Sequence, residues 1–224
     1  GVFFGLGSLG MPVLLGSLED WFNYSEILAG LGIAMCLPVS FIVLISYPAP
    51  KQAQGIRLGN ILPLVRDRLL LLMSFILFFQ SGWESLVNNW TTTYLINVRG
   101  FEEKTALFYL TLFVITFTFG RFALGFLLKK LSARIVLYIS VLSALTGGIL
   151  LGLSVQPYLI ILALVMTGMG LAAGFPVILG LVGDRFARWS GTAFGIALTI
   201  ALLGNMIINY LDRKSTRLNS SHYS

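Results

Sequence analysis

The sequence predicts an all-α fold, a polytopic bundle of transmembrane helices, and three observations carry that expectation. Hydrophobic residues make up 57% of the 224 and charged residues only 11%. A water-facing domain carries about 25% charged residues, so this chain has less than half the charge that a soluble surface needs. Mean hydropathy is +0.88. Apolar runs of about 18 residues or more recur, each long enough to cross ~30 Å of hydrocarbon as a helix. The runs exceed the length of barrel strands and lack their alternation, and in lipid only helices or closed barrels satisfy their own backbone. Composition thus excludes a secreted domain, a cytosolic enzyme, a nucleic-acid binder and a disordered tail.

Seven spans, A to G, are expected at 1–18, 26–47, 69–97, 105–128, 134–154, 157–182 and 190–211. Loop A–B, with Glu19, Asp20 and Glu26, has no Lys or Arg. Loop B–C carries Lys51, Arg57, Arg66 and Arg68 against Asp67, with three prolines and apolar residues spaced among the charges, and is expected to lie along the inner membrane surface. Span C exceeds the hydrocarbon thickness and so must tilt, bend or protrude. Loop C–D balances Arg99 and Lys104 against Glu102 and Glu103. Loop D–E, counted from the end of span D, gathers Arg121, Lys129, Lys130 and Arg134. Loop E–F, around Gln156 and Pro157, is uncharged, and loop F–G has Arg185 and Arg188 with Asp184.

Alternate loops therefore hold ten and two basic residues, and the positive-inside rule places the ten in the cytoplasm. Span A starts inside and span G ends outside. Single cysteines at Gln54 and Glu102, in a Cys36→Ser background, are expected to label from opposite sides of the membrane. Labelling of both from one side would overturn this topology.

The net charge of +6 does not point to nucleic acid. Asp212 to His222 resembles an in-frame translation of a sequencing-library adapter, so 212–224 is read as a non-native tail without packing of its own. Setting it aside leaves twelve basic and eight acidic residues, and removes His222, the only histidine. The chain begins at Gly1 within apolar sequence and is read as an internal fragment. Cys36, the single cysteine, reads as a small buried hydrophobe, with neither disulfide nor thiolate metal site available. Without histidine, an acidic pair in a span, or H-E-x-x-H and G-x-S-x-G patterns, enzymatic chemistry, cofactors and metals are not expected.

Glu84 is the acidic residue deepest in a span, about fifteen residues into span C. A charge at bilayer depth costs at least ~2.5–3.5 kcal/mol, so such residues face cavities and mark ion or substrate pathways. At 100° per residue, Gln80, Trp83, Glu84, Asn88, Trp90, Thr91 and Tyr94 share an arc of about 160°. One face thus offers a carboxyl, amides, a hydroxyl and amphipathic rings, the mixture that a sugar needs. Its alternative is a glutamate tied to a neighbouring helix for packing. Asn205 and Asn209, one turn apart in span G, either line the same cavity or bond across helices. Gly82, Gly125, Gly147, Gly148, Gly152, Gly168, Gly170 and Gly174 read as close-packing positions, and Gly174 with Pro176 as a bend at which helices could rock. Arg121, Lys129, Lys130 and Arg134 form a cytoplasmic basic cluster suited to anionic lipid headgroups.

Three motifs resemble the major facilitator superfamily, within it the sugar permeases similar to fucose transporters. Gly120-Arg121-x-x-x-Gly125-x-Leu127-x-Lys129-Lys130-x-x-x-Arg134 resembles the family's signature loop, with Lys129 where an Asp is usual. Gly168-x-Gly170-x-x-x-Gly174-Phe175-Pro176, with Gly183-Asp184-Arg185-Phe186 and Ser190-Gly191-Thr192-Ala193-Phe194-Gly195, resembles the tenth and eleventh family helices. Gly82-Trp83-Glu84 through Trp90 to Tyr94 resembles the seventh. The resemblance implies seven spans of twelve: 1–47 as the last two helices of the N-terminal bundle, 48–68 as the cytoplasmic connection, and 69–211 as five of six helices of the C-terminal bundle.

What the resemblance implies is a monomeric multi-pass transporter in a bacterial inner membrane, with protons, a small-molecule solute and the lipid bilayer as partners. Gln80, Trp83, Glu84, Asn88, Trp90, Thr91, Tyr94 and Asn205 would bind a sugar or similar solute, Glu84 would couple protons, and the basic cluster with Gly120 and Gly125 would brace a gate. The rival readings are a seven-helix receptor, which needs an outside N-terminus, and a non-transporting membrane scaffold.

Overall fold

The computed structural model describes residues 21–46 and 58–220, with positions 7, 14, 17 and 18; of Tyr24, 58–61 and 212–220 it describes the backbone alone. Most of span A and the centre of loop B–C, Gln54 included, lie outside these residues. The chain is all-helical there: α1 Tyr24–Ala34, α2 Cys36–Leu44, α3 Leu58–Val65, α4 Arg68–Asn97, α5 Glu103–Lys130, α6 Ala133–Leu153, α7 Pro157–Ala172, α8 Gly174–Arg185, a 3-10 turn Ala187–Trp189, and α9 Ser190–Ser220. Six helical stretches are long and apolar enough to cross a membrane, matching spans B to G.

Local chemistry marks the boundaries. The Asp67 carboxylate accepts from the Leu69 and Leu70 amides, both at 2.9 Å, and so caps α4. Ser132 caps α6 by accepting from the Ile135 amide at 3.5 Å. Pro157 opens α7, where a missing N–H costs nothing. Gly100, at φ +73°, makes the turn out of α4 that a side chain would resist.

Two spans are interrupted by one mechanism, span B unexpectedly and span F at the bend expected around Gly174 and Pro176. Proline cannot donate to the carbonyl four residues back and its ring crowds that carbonyl. Pro38 frees Ala34, the last residue of α1, and Pro176 frees Ala172, the last residue of α7. Span B therefore breaks at Met35 and span F at Ala173. At the other extreme, span G is longer than its expected end at 211: the helical backbone of α9 runs on to Ser220. Cys36 is exposed on α2, with its thiol towards the Gly32 carbonyl at 3.8 Å, and is not the buried hydrophobe expected.

Helices α4 and α9 make the most extensive contact, followed by α6 with α7 and α5 with α7. Glycines let these backbones approach. A Cβ at Gly204 would strike the Phe78 main chain, and one at Gly82 would strike Ile208, which locks α4 to α9 from both sides. Two residues apart on α7, Gly168 lies against the α5 main chain at Phe113 and Phe117, and Gly170 against the α6 main chain at Ser140 and Ala144. One buried cluster, with Leu95, Phe113 and Leu164, joins α4, α5 and α7; another, with Leu77, Val182 and Ala197, joins α4, α8 and α9. Phe79, Phe119, Phe126 and Leu142 stay exposed, as a lipid-facing surface requires.

Candidate functional site

A cavity of about 650 Å3 is lined by α4 (Ser81, Glu84, Ser85, Asn88), α5 (Arg121), α8 (Phe175, Pro176, Leu179) and α9 (Leu202, Asn205). Glu84 sits near the middle of the 30-residue α4, at the depth where a lone charge is most expensive. Its partner is Arg121: a guanidinium nitrogen stands 3.7 Å from Glu84 Oε1, with the Arg121 and Glu84 side chains 9% and 16% exposed. The guanidinium also lies over the Phe117 ring, 4.1 Å from its centroid, an arrangement that favours a cation against the ring face. Glu84 Oε2 is buried and accepts no hydrogen bond among the described residues. The pair is close enough for strong Coulomb attraction in a poorly screened site and too long for a tight bidentate clasp.

Arg121 is the chief departure from the sequence reading. Counted there with the cytoplasmic loop, it lies inside α5, nine residues before Lys130, and faces the cavity. The basic-loop asymmetry survives the correction at nine to two. Lys129, Lys130 and Arg134 are exposed around the α5–α6 turn, with the Lys129 ammonium 5.7 Å from the Phe126 ring centroid. Gly120 is a packing notch where a Cβ would meet Ala172 at 2.7 Å, whereas Gly125 is exposed with open space before it. Span D, expected at 105–128, already contained Arg121, so only its grouping with the loop charges is corrected.

Of the eight expected solute-binding residues, the cavity holds Glu84, Asn88 and Asn205. The other five do not line it. Gln80 donates to the Leu171 carbonyl at 2.8 Å, beside the proline break, and occupies the space that a side chain at Gly174 would need. Trp83 fills the notch at Gly148 on α6. Thr91 is buried and Trp90 half-buried, neither lining the cavity. Tyr94 donates to the Leu151 carbonyl at 3.3 Å and carries the Arg99 guanidinium over its ring, 5.2 Å from the centroid. Arg99 in turn donates to the Gly152 carbonyl at 2.6 Å, tying the end of α4 to the end of α6.

Ser81 and Ser85 were missed, although Ser81, Glu84, Ser85 and Asn88 follow the i, i+3, i+4, i+7 spacing of one helix face. Weight given to the aromatic rings turned the expected face too far. Gly174 and Pro176 do stand at an interruption of the span, and Pro176 lines the cavity. The polar lining lies almost wholly on α4 and α9, with the cation supplied by α5. Asn209 bonds across to α4, donating to Ser85 Oγ at 2.7 Å, so Asn205 and Asn209 divide the two roles left open between them.

The arrangement can therefore hold a small polar solute against hydrogen-bonding groups and a charge pair. In comparisons with known proteins, a family model described as Major Facilitator Superfamily matches residues 1–208. No curated protein and no solved structure matches the chain.

Proposed function

The chain belongs to the Major Facilitator Superfamily, a family of secondary transporters and not of enzymes, and from that premise we propose that it moves a small hydrophilic solute of sugar type by alternating access, coupled to protons through Glu84. The family sets aside the seven-helix receptor. In this reading 1–47 and 69–211 belong to two bundles joined through 48–68, the tail from 212 takes no part, and the solute sits where the bundles face one another near the midplane.

The observation that carries the proposal is the Glu84–Arg121 pair, 3.7 Å apart on the cavity wall. A carboxyl inside a span has two ways to avoid standing as a bare charge: a cation beside it, or a proton on it. A shift of α4 against α5 within the 69–211 bundle, as the bundles rock, would remove the first and call for the second. Glu84 would then pick up a proton on one side of the membrane and release it when Arg121 returns. Proline at 176, on the cavity wall, places a weakened turn of span F where such rocking needs it.

The test is proton movement in proteoliposomes containing the complete transporter. Adding solute outside, without a pre-set proton gradient, should make the external medium more alkaline as protons enter with it. Solute uptake with no proton flux would end the coupling reading and leave facilitated passage.

A further inference from the structure

Between α4 and α9, a hydrogen-bond network has its direction set by a backbone atom. The Asn209 side-chain nitrogen donates to the Asn205 main-chain carbonyl at 2.7 Å, a group that can only accept. That contact identifies the NH2 end of the Asn209 amide. The same nitrogen reaches Asn205 Oδ1 at 2.9 Å and Ser85 Oγ at 2.7 Å, so its two hydrogens are shared among three acceptors. Asn205 is thereby held with its oxygen towards Asn209 and its own NH2 turned the other way. Ser85 Oγ accepts a second time, from the Asn89 side-chain nitrogen at 3.1 Å, so both its lone pairs are in use. Asn89 steadies the network by donating to Asn209 Oδ1 at 3.2 Å.

What remains on Ser85 is its hydroxyl hydrogen, and what remains on Asn205 is its NH2. Both residues line the cavity. They offer donors only. The opposite polarity stands beside them on α4: Asn88 donates to the Glu84 main-chain carbonyl at 2.8 Å, which leaves its Oδ1 as the outward end, and Glu84 lines the same wall.

We propose that the Ser85 hydroxyl and the Asn205 amide are a donor pair, aimed by Asn209 and Asn89, that binds the carboxylate of a small hydroxy acid of the sugar-acid type. Asn88 Oδ1 receives a hydroxyl of the same solute. A sugar hydroxyl against a donor-only pair would leave its own hydrogen unplaced, whereas a carboxylate has no hydrogen and takes charge-assisted bonds of about twice the strength. Arg121, on the adjoining wall, adds a cation to the same space. The proposal deepens the transport reading and rests on it in one respect: a carboxylate entering with a proton on Glu84 adds no net charge to the site. Asn209 and Asn89 touch no solute and are positioning residues.

The experiment is equilibrium binding of D-glucuronate and D-glucose, which share a ring and differ at one carbon, to the complete transporter in detergent. The wild-type protein should bind D-glucuronate about tenfold or more tightly than D-glucose. Ser85→Ala, which removes one hydroxyl, should weaken D-glucuronate about tenfold and D-glucose less than about threefold, with Ser85→Thr restoring the preference. Asn209→Asp keeps the shape and replaces the donor by an acceptor; it should weaken D-glucuronate about ten- to hundredfold with the same selectivity. A merely structural role would lower both probes alike, and that result overturns the proposal. So does binding of neither probe, or equal affinity for both in the wild type. Intact preference for D-glucuronate without solute-driven proton movement would sink the coupling reading alone and leave this assignment standing.

Discussion

Replacing Arg121 with leucine is expected to be the most damaging single change in the cavity, because it strands the Glu84 carboxyl without its cation. Removing one partner of a buried ion pair costs about 3–5 kcal/mol, more than the pair itself is worth, since the remaining charge keeps its desolvation penalty and loses its compensation. The side chains are 9% and 16% exposed, so water replaces little of the lost interaction. Solubilised Arg121→Leu should therefore aggregate at a markedly lower temperature than the wild type, and uptake in proteoliposomes should fall to background. Glu84→Gln combined with Arg121→Leu should recover most of the stability, because no charge is left uncompensated. Transport should stay absent in the double variant. Equal stability of the single and double variants would show that the pair does not hold α4 to α5.

Glu84→Gln alone has the second largest expected effect, and it falls on function and not on the fold. The amide keeps the side chain's size and can still meet Arg121 with its oxygen, but it cannot release a proton. Accumulation of solute against a gradient should disappear, while exchange of solute across the membrane at equal concentrations should persist within a few-fold. The separation matters, because loss of both would describe a binding residue and not a coupling one. Measured side by side, uphill uptake and counterflow in the same vesicles decide between them. Continued uphill uptake by Glu84→Gln would make Glu84 a packing residue and move the coupling group elsewhere in the transporter.

Why α4 presents Glu84 to a cavity was only half legible beforehand. Hydropathy and the depth of Glu84 in its span identified a buried acid, and physical cost alone made it a site candidate. The partner was harder to see. Arg121 lies 37 positions further along the chain, and loop counting assigned it to the wrong environment, since a count of charges near a span's end carries no depth. The face of α4 was misjudged for a related reason. Gln80, Trp83 and Tyr94 share an arc with Glu84, but a helix wheel cannot say which part of an arc meets a neighbour. Notches at Gly148 and Gly174 receive Trp83 and Gln80, and with those side chains seated the helix turns its Ser81, Glu84, Ser85 and Asn88 edge to the cavity.

By itself, then, the sequence determined that the chain spans a membrane as helices, where most of those helices begin and end, and that one of them carries an acid at depth. These properties are sums over neighbouring residues: hydropathy along a run and charge in a loop. Tertiary structure alone decided which residues meet. The Glu84–Arg121 pair and the Ser85–Asn209 bond join residues 37 and 124 positions apart. Their formation depends on helix rotation, which is set by glycine contacts such as Gly204 on Phe78 and Gly82 on Ile208. Packing at that distance is a property of two surfaces together, and neither surface's sequence states it.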